Sequence, residues 1–207
     1  LTLASVLLFV LSGNIVMLYA TWVAMSLSLH QLLIFYPTRK KAQAAARKKF
    51  IVARIGDAFL LVALVSLYQT FHTGNLAAIY QQIQDGVNLP SRNLDVAAVF
   101  LVLAAVMKSA QFPFHGWLVE VMETPTPVSA TLHAGLINAG PFLIIRMSHV
   151  IHYSSAASML LLIIGGISAI FGAIAFTTQP AQKTALAYSS IAHMGFSLFT
   201  SGLGLYA

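Results

Sequence analysis

Leu94–Gly135, LDVAAVFLVLAAVMKSAQFPFHGWLVEVMETPTPVSATLHAG, decides how this chain is to be read. Its opening part, Leu94–Met107, is a long apolar stretch, and it ends on a lysine, Lys108. Pro113 then deletes a backbone donor and blocks helical closure onto the carbonyl of Ser109. A charge beside a broken helix at membrane depth is costly unless it faces a protein interior or water. Such breaks are tolerated in a bilayer only where protein or a polar cavity satisfies the freed backbone groups. An enclosed titratable group at a helix discontinuity therefore points to an ion or proton pathway.

Composition supports a membrane setting. The 207 residues are 58% hydrophobic and 8% charged, whereas soluble domains carry about 25% charged residues. The chain has no cysteine, which excludes disulfides and thiolate metal sites. Its net charge of +6 is no nucleic-acid signal, because six of the eleven Lys and Arg fall in one cluster: Arg39, Lys40, Lys41, Arg47, Lys48 and Lys49. A short basic loop between apolar segments marks the cytoplasmic side. The chain opens at Leu1 and stops at Ala207 inside an apolar segment, which reads as an internal piece of a longer protein.

Working outward, residues 1–36 carry no Lys, Arg, Asp or Glu and exceed one span of about 20 residues, with Ser12-Gly13-Asn14 as a turn. The expected spans are a truncated 1–12, then 15–36, 50–70, a broken 94–123, 127–147, 157–178 and 184 to the end. Residues 37–49 form a basic cytoplasmic loop and 72–93 an extramembrane loop. With 37–49 inside, 72–93 and 148–156 lie outside and 179–183 inside. The expected fold is one all-α polytopic membrane domain over 1–207, with about seven transmembrane helices and one of them broken.

Lys108 is the first functional candidate. Burial disfavours the charged form of a lysine, so an enclosed one can exchange a proton near neutral pH. The competing role, a snorkelling surface anchor, is weakened because Lys108 sits between an apolar stretch and a second, amphipathic half rather than at a loop. On an unbroken helix Gln111 and His115 would share its face. His133 lies within the following span, with Ser129 and Gly140 on a small, polar face. It is either a relay partner for Lys108 or a hydrogen-bonded packing histidine.

Arg54 and Asp57, three apart on one helix face, form either a structural ion pair or a switchable one. Glu120 and Glu123, before the PTP turn, are helix-end charges or a place where protons come in. Lys183 opens the last span as an anchor or a functional group, and Ser190, His193, Ser197 and Ser201 line one polar helix face. There is no phosphate loop, HExxH, nucleophile elbow or dinucleotide fingerprint, and the histidines lack metal-ligand spacing. No cofactor, metal or nucleic acid is expected, and no catalysis by the chain alone.

The phrase KSAQFPFHGWL–VME–TPTPVSATLHAG, with Gly140 and Arg146, resembles the antiporter-like membrane subunits. These include the large proton-pumping subunit of respiratory complex I (NuoL-like), the Mrp sodium/proton antiporter subunits, and DabB of the inorganic-carbon transporters. The segment around Trp22, RIGDAFL at 54–60 and QKTALAYSSIAHMGF at 182–196 follow in family order, so the resemblance covers almost the whole chain. It implies two inverted five-helix repeats, each with a broken helix. Residues 1–147 would hold the first, its first helix truncated, and 157–207 the opening of the second. It also implies a proton path through Lys108, His133, Lys183, Asp57 and Arg54; the residues themselves add Glu123 and His193 as candidates, with Pro113 at the break.

One departure matters. Complex I subunits usually place a glutamate after the tryptophan of the second span, where it pairs with the broken-helix lysine; here Val23 follows Trp22. Either another acid replaces it, Asp57 or one on a partner, or the proton path differs. Val23 and the FHGWLVEVMETPTP wording both favour the DabB branch. That branch implies a subunit of the bacterial inner membrane that couples proton flow to CO2 or bicarbonate uptake with a large soluble, zinc-containing partner. The alternatives are a pumping subunit of NADH–quinone oxidoreductase among other complex I chains, and an Mrp-type cation/proton antiporter subunit. A purely structural membrane bundle would have to explain Lys108, Asp57 and His133 together.

Overall fold

The computed structural model describes residues 1–34, 40–86, 91–121 and 125–204. The described residues are mainly helical, with no strand and one isolated bridge between Asn14 and Asn75. In chain order the helices are α1 (Thr2–Leu11), α2 (Ile15–Leu33), α3 (Lys40–Phe71), α4 (Leu76–Gln84), α5 (Arg92–Lys108), α6 (Gly116–Glu120), α7 (Thr126–Thr131), α8 (Ala139–Arg146), α9 (Ser148–Ile151), α10 (Ser155–Thr178) and α11 (Gln182–Gly202). A π-helical turn, Leu132–Leu136, links α7 to α8, so these act as one interrupted rod.

Among the described residues, four helical stretches are long and apolar enough to cross a membrane: Ile15–Leu33, Ala42–Phe71, Thr126–Arg146 and Ser155–Thr178. Helices α1 and α5, with 10 and 17 residues, are shorter than a span of about 20. α11 has the length but carries Lys183, Ser189, Ser190, His193, Ser197 and Thr200 along it. On α10, Met159, Ile163, Ile167, Ile170 and Ile174 form an exposed apolar row at helical spacing, as a lipid-facing surface requires.

Three expected loops hold helix. α3 begins at Lys40 rather than at 50, so most of the basic cluster forms its opening turns. Ala42, Ala44, Ala45 and Ala46 are strong helix formers, and Lys and Arg lose little freedom in a helix. Within 72–93, α4 is a short amphipathic helix that buries Leu76, Ile79 and Ile83, and 148–156 holds α9. Asn14 and Asn75 cap α2 and α4 through Val16 N–H (2.8 Å) and Ala77 N–H (2.9 Å). Reciprocal bonds from Ile15 to Gly74 O and from Leu76 to Gly13 O tie the two helix starts together.

Contacts between helices depend on small residues. A methyl on Gly165 would stand 2.6 Å from the amide nitrogen of Phe199, and one on Gly172 2.7 Å from that of Ala192, so α10 and α11 touch backbone to backbone. Phe9, Trp22 and Phe142 join α1, α2 and α8 by ring contacts of 5.6 and 5.5 Å. Arg146 closes the end of α1 by donating to the carbonyls of Val10 (2.5 Å) and Ser12. It satisfies acceptors that a helix terminus leaves open.

Candidate functional site

α5 stops at Lys108, five residues before Pro113. Ser109 still donates to Ala105 O at 2.9 Å, but Ala110 adopts a left-handed conformation (φ 51°), unusual for a residue with a side chain. The backbone groups freed by this break find partners inside the protein. Gln111 N–H reaches Val106 O (3.2 Å), Gln111 Nε2 donates to Ser109 O (2.8 Å), and Phe112 N–H donates to Ser168 Oγ of α10 (3.0 Å). Gln111 is fully buried, whereas His115 stacks among Phe112, Phe171 and Tyr188. The break therefore separates two residues that an unbroken helix would align.

Lys108 ends its helix where a positive charge complements the helix dipole. Its side chain is enclosed, at 7% exposure. Nζ donates to Ser26 Oγ (2.6 Å) and Trp22 O (3.1 Å), both on α2, and stands 4.2 Å from the centre of the Trp22 ring. Residues 22 and 26 are one helical turn apart, which is why one ammonium reaches both.

A second cation lies on the same residue. Lys49 of α3, 4% exposed, donates from Nζ to Ser26 O at 2.8 Å. Asp57, one of the buried residues, pairs with Arg54 at 2.5 Å and feels the charges of Lys108, Arg54 and Lys49. Three cations thus face one carboxylate. Lys108 has no carboxylate at ion-pair distance among the described residues. Val23, partly buried, packs against the apolar core and supplies no charge.

His133 sits in the π-turn, half-buried, with Nδ1 at 2.8 Å from Ser190 Oγ of α11 and Nε2 shielded without a hydrogen bond. It thus reaches α11 rather than Lys108 directly. The polar face of α11 is divided: Ser190 meets His133, Ser201 is buried on Ser197 O (2.9 Å), and His193 is exposed with Nδ1 at 2.9 Å from Ser189 O. Lys183 lies in the first turn of α11, half-buried. Glu120 pairs with Lys48 at the surface (2.6 Å), and Glu123 lies outside the described residues. No cluster of His, Asp and Glu suited to a metal occurs among the described residues.

Lys49 and Ser26 are the site residues that sequence reasoning missed. Lys49 is the last residue of a six-member basic cluster, and a cluster reads as solvated. The available signal was helix propensity: continuing α3 back through Ala42–Ala46 places Lys49 two turns before Asp57, on the same half of the helix.

The arrangement can hold a proton on an enclosed amine and exchange it beside the Arg54–Asp57 ion pair. Restoring an acid with Val23→Glu is expected to give Lys108 a direct partner and slow any proton exchange through it several-fold. An unchanged rate in reconstituted vesicles would mean that position 23 is remote from the path.

Comparison with known proteins gives consistent matches. The family described as NADH:quinone oxidoreductase/Mrp antiporter, TM, matches residues 12–207. A probable inorganic carbon transporter subunit DabB of Hydrogenovibrio crunogenus is 43% identical over 205 residues, covering 99% of this chain and 39% of that protein. The NADH-quinone oxidoreductase subunit L of Mycobacterium tuberculosis is 37% identical over 204 residues, covering 98% of this chain and 32% of that protein. The structure of the Mrp complex from Dietzia sp. DQ12-45-1b superposes with a TM-score of 0.91 at 32% identity, over 99% of this chain and 22% of the matched chain. The present chain thus spans well under half the length of these relatives.

Proposed function

This chain belongs to the NADH:quinone oxidoreductase/Mrp antiporter membrane family, and we propose that it conducts protons as part of a membrane subunit coupled to a partner. The observation that carries this reading is Lys108, enclosed at the end of a broken helix, bonded to Ser26 and Trp22 and facing Asp57. An amine in that position can load and release a proton, and the Arg54–Asp57 pair can change its affinity for one as the pair opens or closes. His133 and Ser190 continue the polar route toward α11, where Lys183 and His193 lie.

In this reading the helices make up seven spans in the bacterial inner membrane, with the start of α3 at the cytoplasm. Residues 1–147 are the first five-helix repeat and 157–207 open the second. The coupled process is inorganic-carbon uptake with a large soluble zinc-containing partner. Support comes from the 43% identity to the DabB protein and from Val23, which leaves Lys108 without the adjacent acid expected of complex I. The pumping arm of NADH–quinone oxidoreductase is the second reading, favoured by the 37% identity to subunit L.

Gentle affinity purification of the full-length protein from native membranes, followed by mass spectrometry, separates the two. One large soluble zinc protein without flavin or iron–sulfur chains is the expected recovery. Flavin and iron–sulfur subunits would overturn the carbon-uptake reading and place the chain in a respiratory complex.

A further inference from the structure

The two ring nitrogens of His133 have different surroundings. Nδ1 stands 2.8 Å from Ser190 Oγ, whereas Nε2 is shielded and makes no hydrogen bond. Among the described residues Ser190 is the one hydrogen-bond partner of the ring, and no carboxylate lies at ion-pair distance from it. The same hydroxyl donates to Leu186 O, one turn back on α11, at 3.0 Å. A carbonyl oxygen only accepts, and a hydroxyl has one proton to give.

Those two bonds coexist in a single proton arrangement. Ser190 Oγ–H points to Leu186 O, Nδ1–H donates to Ser190 Oγ, and Nε2 keeps its lone pair. The opposite tautomer needs the hydroxyl proton for Nδ1. It gives up the side-chain bond to Leu186 O and leaves a shielded N–H at Nε2 without an acceptor. The first arrangement makes two hydrogen bonds where the second makes one. Apolar packing holds the partners together. Leu132 and Leu136 flank His133, Ala187 and Ile191 flank Ser190, and all four are buried in one cluster. The π-turn closes through Ile137 N–H on Leu132 O (3.2 Å), so the backbone also helps to aim the ring.

We infer that Ser190 is a positioning residue: it holds His133 in the Nδ1–H form, so that protons come and go at Nε2 and the hydroxyl itself does not relay. The inference rests on His133 lying in the proton path. Uptake forms an N–H bond at Nε2 and turns the ring into an imidazolium; loss of that proton restores the neutral ring. Nδ1–H donates to Ser190 in both states, so the π-turn and α11 keep their places through the cycle.

The competing role is mechanical: the bond would merely pin the π-turn to α11, with either tautomer. A spectrum separates the two. The test uses the full-length protein with its native partners in membranes, its histidine ring nitrogens labelled with nitrogen-15. At about pH 8, above the usual histidine range, solid-state NMR tells a protonated ring nitrogen from a bare one. A His133→Gln sample identifies the His133 signals by their loss. Wild type is expected to show a protonated Nδ1 and a bare Nε2. Ser190→Ala is expected to move much of the population to the Nε2–H form and to lower proton flux several-fold per assembled complex. Ser190→Thr keeps a hydroxyl and is expected to restore both. A protonated Nε2 in wild type would overturn the inference, and that spectrum decides the tautomer even if Ser190→Ala fails to assemble. An unchanged tautomer or wild-type flux in Ser190→Ala would overturn it too. Flux in His133→Gln keeps the two levels apart. Loss there with full flux in Ser190→Ala removes Ser190 alone, whereas full flux in His133→Gln takes His133 out of the path and the inference with it.

Discussion

Lys108→Ala is expected to bring coupled proton flux to background, a loss on the order of 10²–10⁴-fold, the range that a positioned proton-transfer group supplies. No other amine at the end of α5 could substitute, because Lys49 approaches Ser26 from α3 and reaches its carbonyl rather than its hydroxyl. The protein should still insert and assemble. Truncation removes two hydrogen bonds and leaves a void, but it also removes a buried cation whose desolvation opposed folding. The check is flux in vesicles beside recovery of the assembled protein from the membrane. Wild-type flux would refute the central place given to this lysine, whereas loss of the protein itself would call for the closer-fitting Lys108→Met before any judgement on transport.

Gly140→Val is expected to have the largest structural effect of any single change near the site. α8 crosses α5 just behind the break, and a methyl at position 140 would collide with Ser109 Oγ and stand 2.6 Å from the carbonyl oxygen of Ala105. That carbonyl already accepts from Ser109 N–H and Ser109 Oγ, so it cannot give way without disturbing the last turn that carries Lys108. Overpacking of a well-filled interior costs about 1–3 kcal/mol, and a backbone obstacle puts this case at the upper end or beyond. The prediction is a sharp fall in thermal stability in detergent, with Gly140→Ala intermediate between wild type and valine. Unchanged stability in Gly140→Val would mean that α5 and α8 do not approach as closely as described.

Much of this organisation follows from local chemistry. The apolar runs of 15–36, 127–147 and 157–178 place α2, the α7–α8 rod and α10 within a few residues of where they lie, because a bilayer demands length and apolarity before anything else. Lys108 followed by Pro113 implies a break, since a helix with a missing donor and a charge at its end needs a protein environment. Arg54 and Asp57 are neighbours by helical geometry alone. Family phrases supplied what periodicity does not, namely the order of the motifs and the meaning of Val23.

The sequence by itself determined that this is an all-helical membrane protein, interrupted after Lys108 and carrying few charges whose positions are therefore informative. Tertiary structure decided which of those charges meet. Lys49 belongs to the site because α3 starts early and turns it toward Ser26, and His133 answers to Ser190 because the π-turn aims it at α11. Hydropathy is a property of a segment and can be read along the chain, whereas a hydrogen bond between helices depends on their relative rotation and spacing. Packing of small residues such as Gly140, Gly165 and Gly172 fixes those, and no one-dimensional pattern records them.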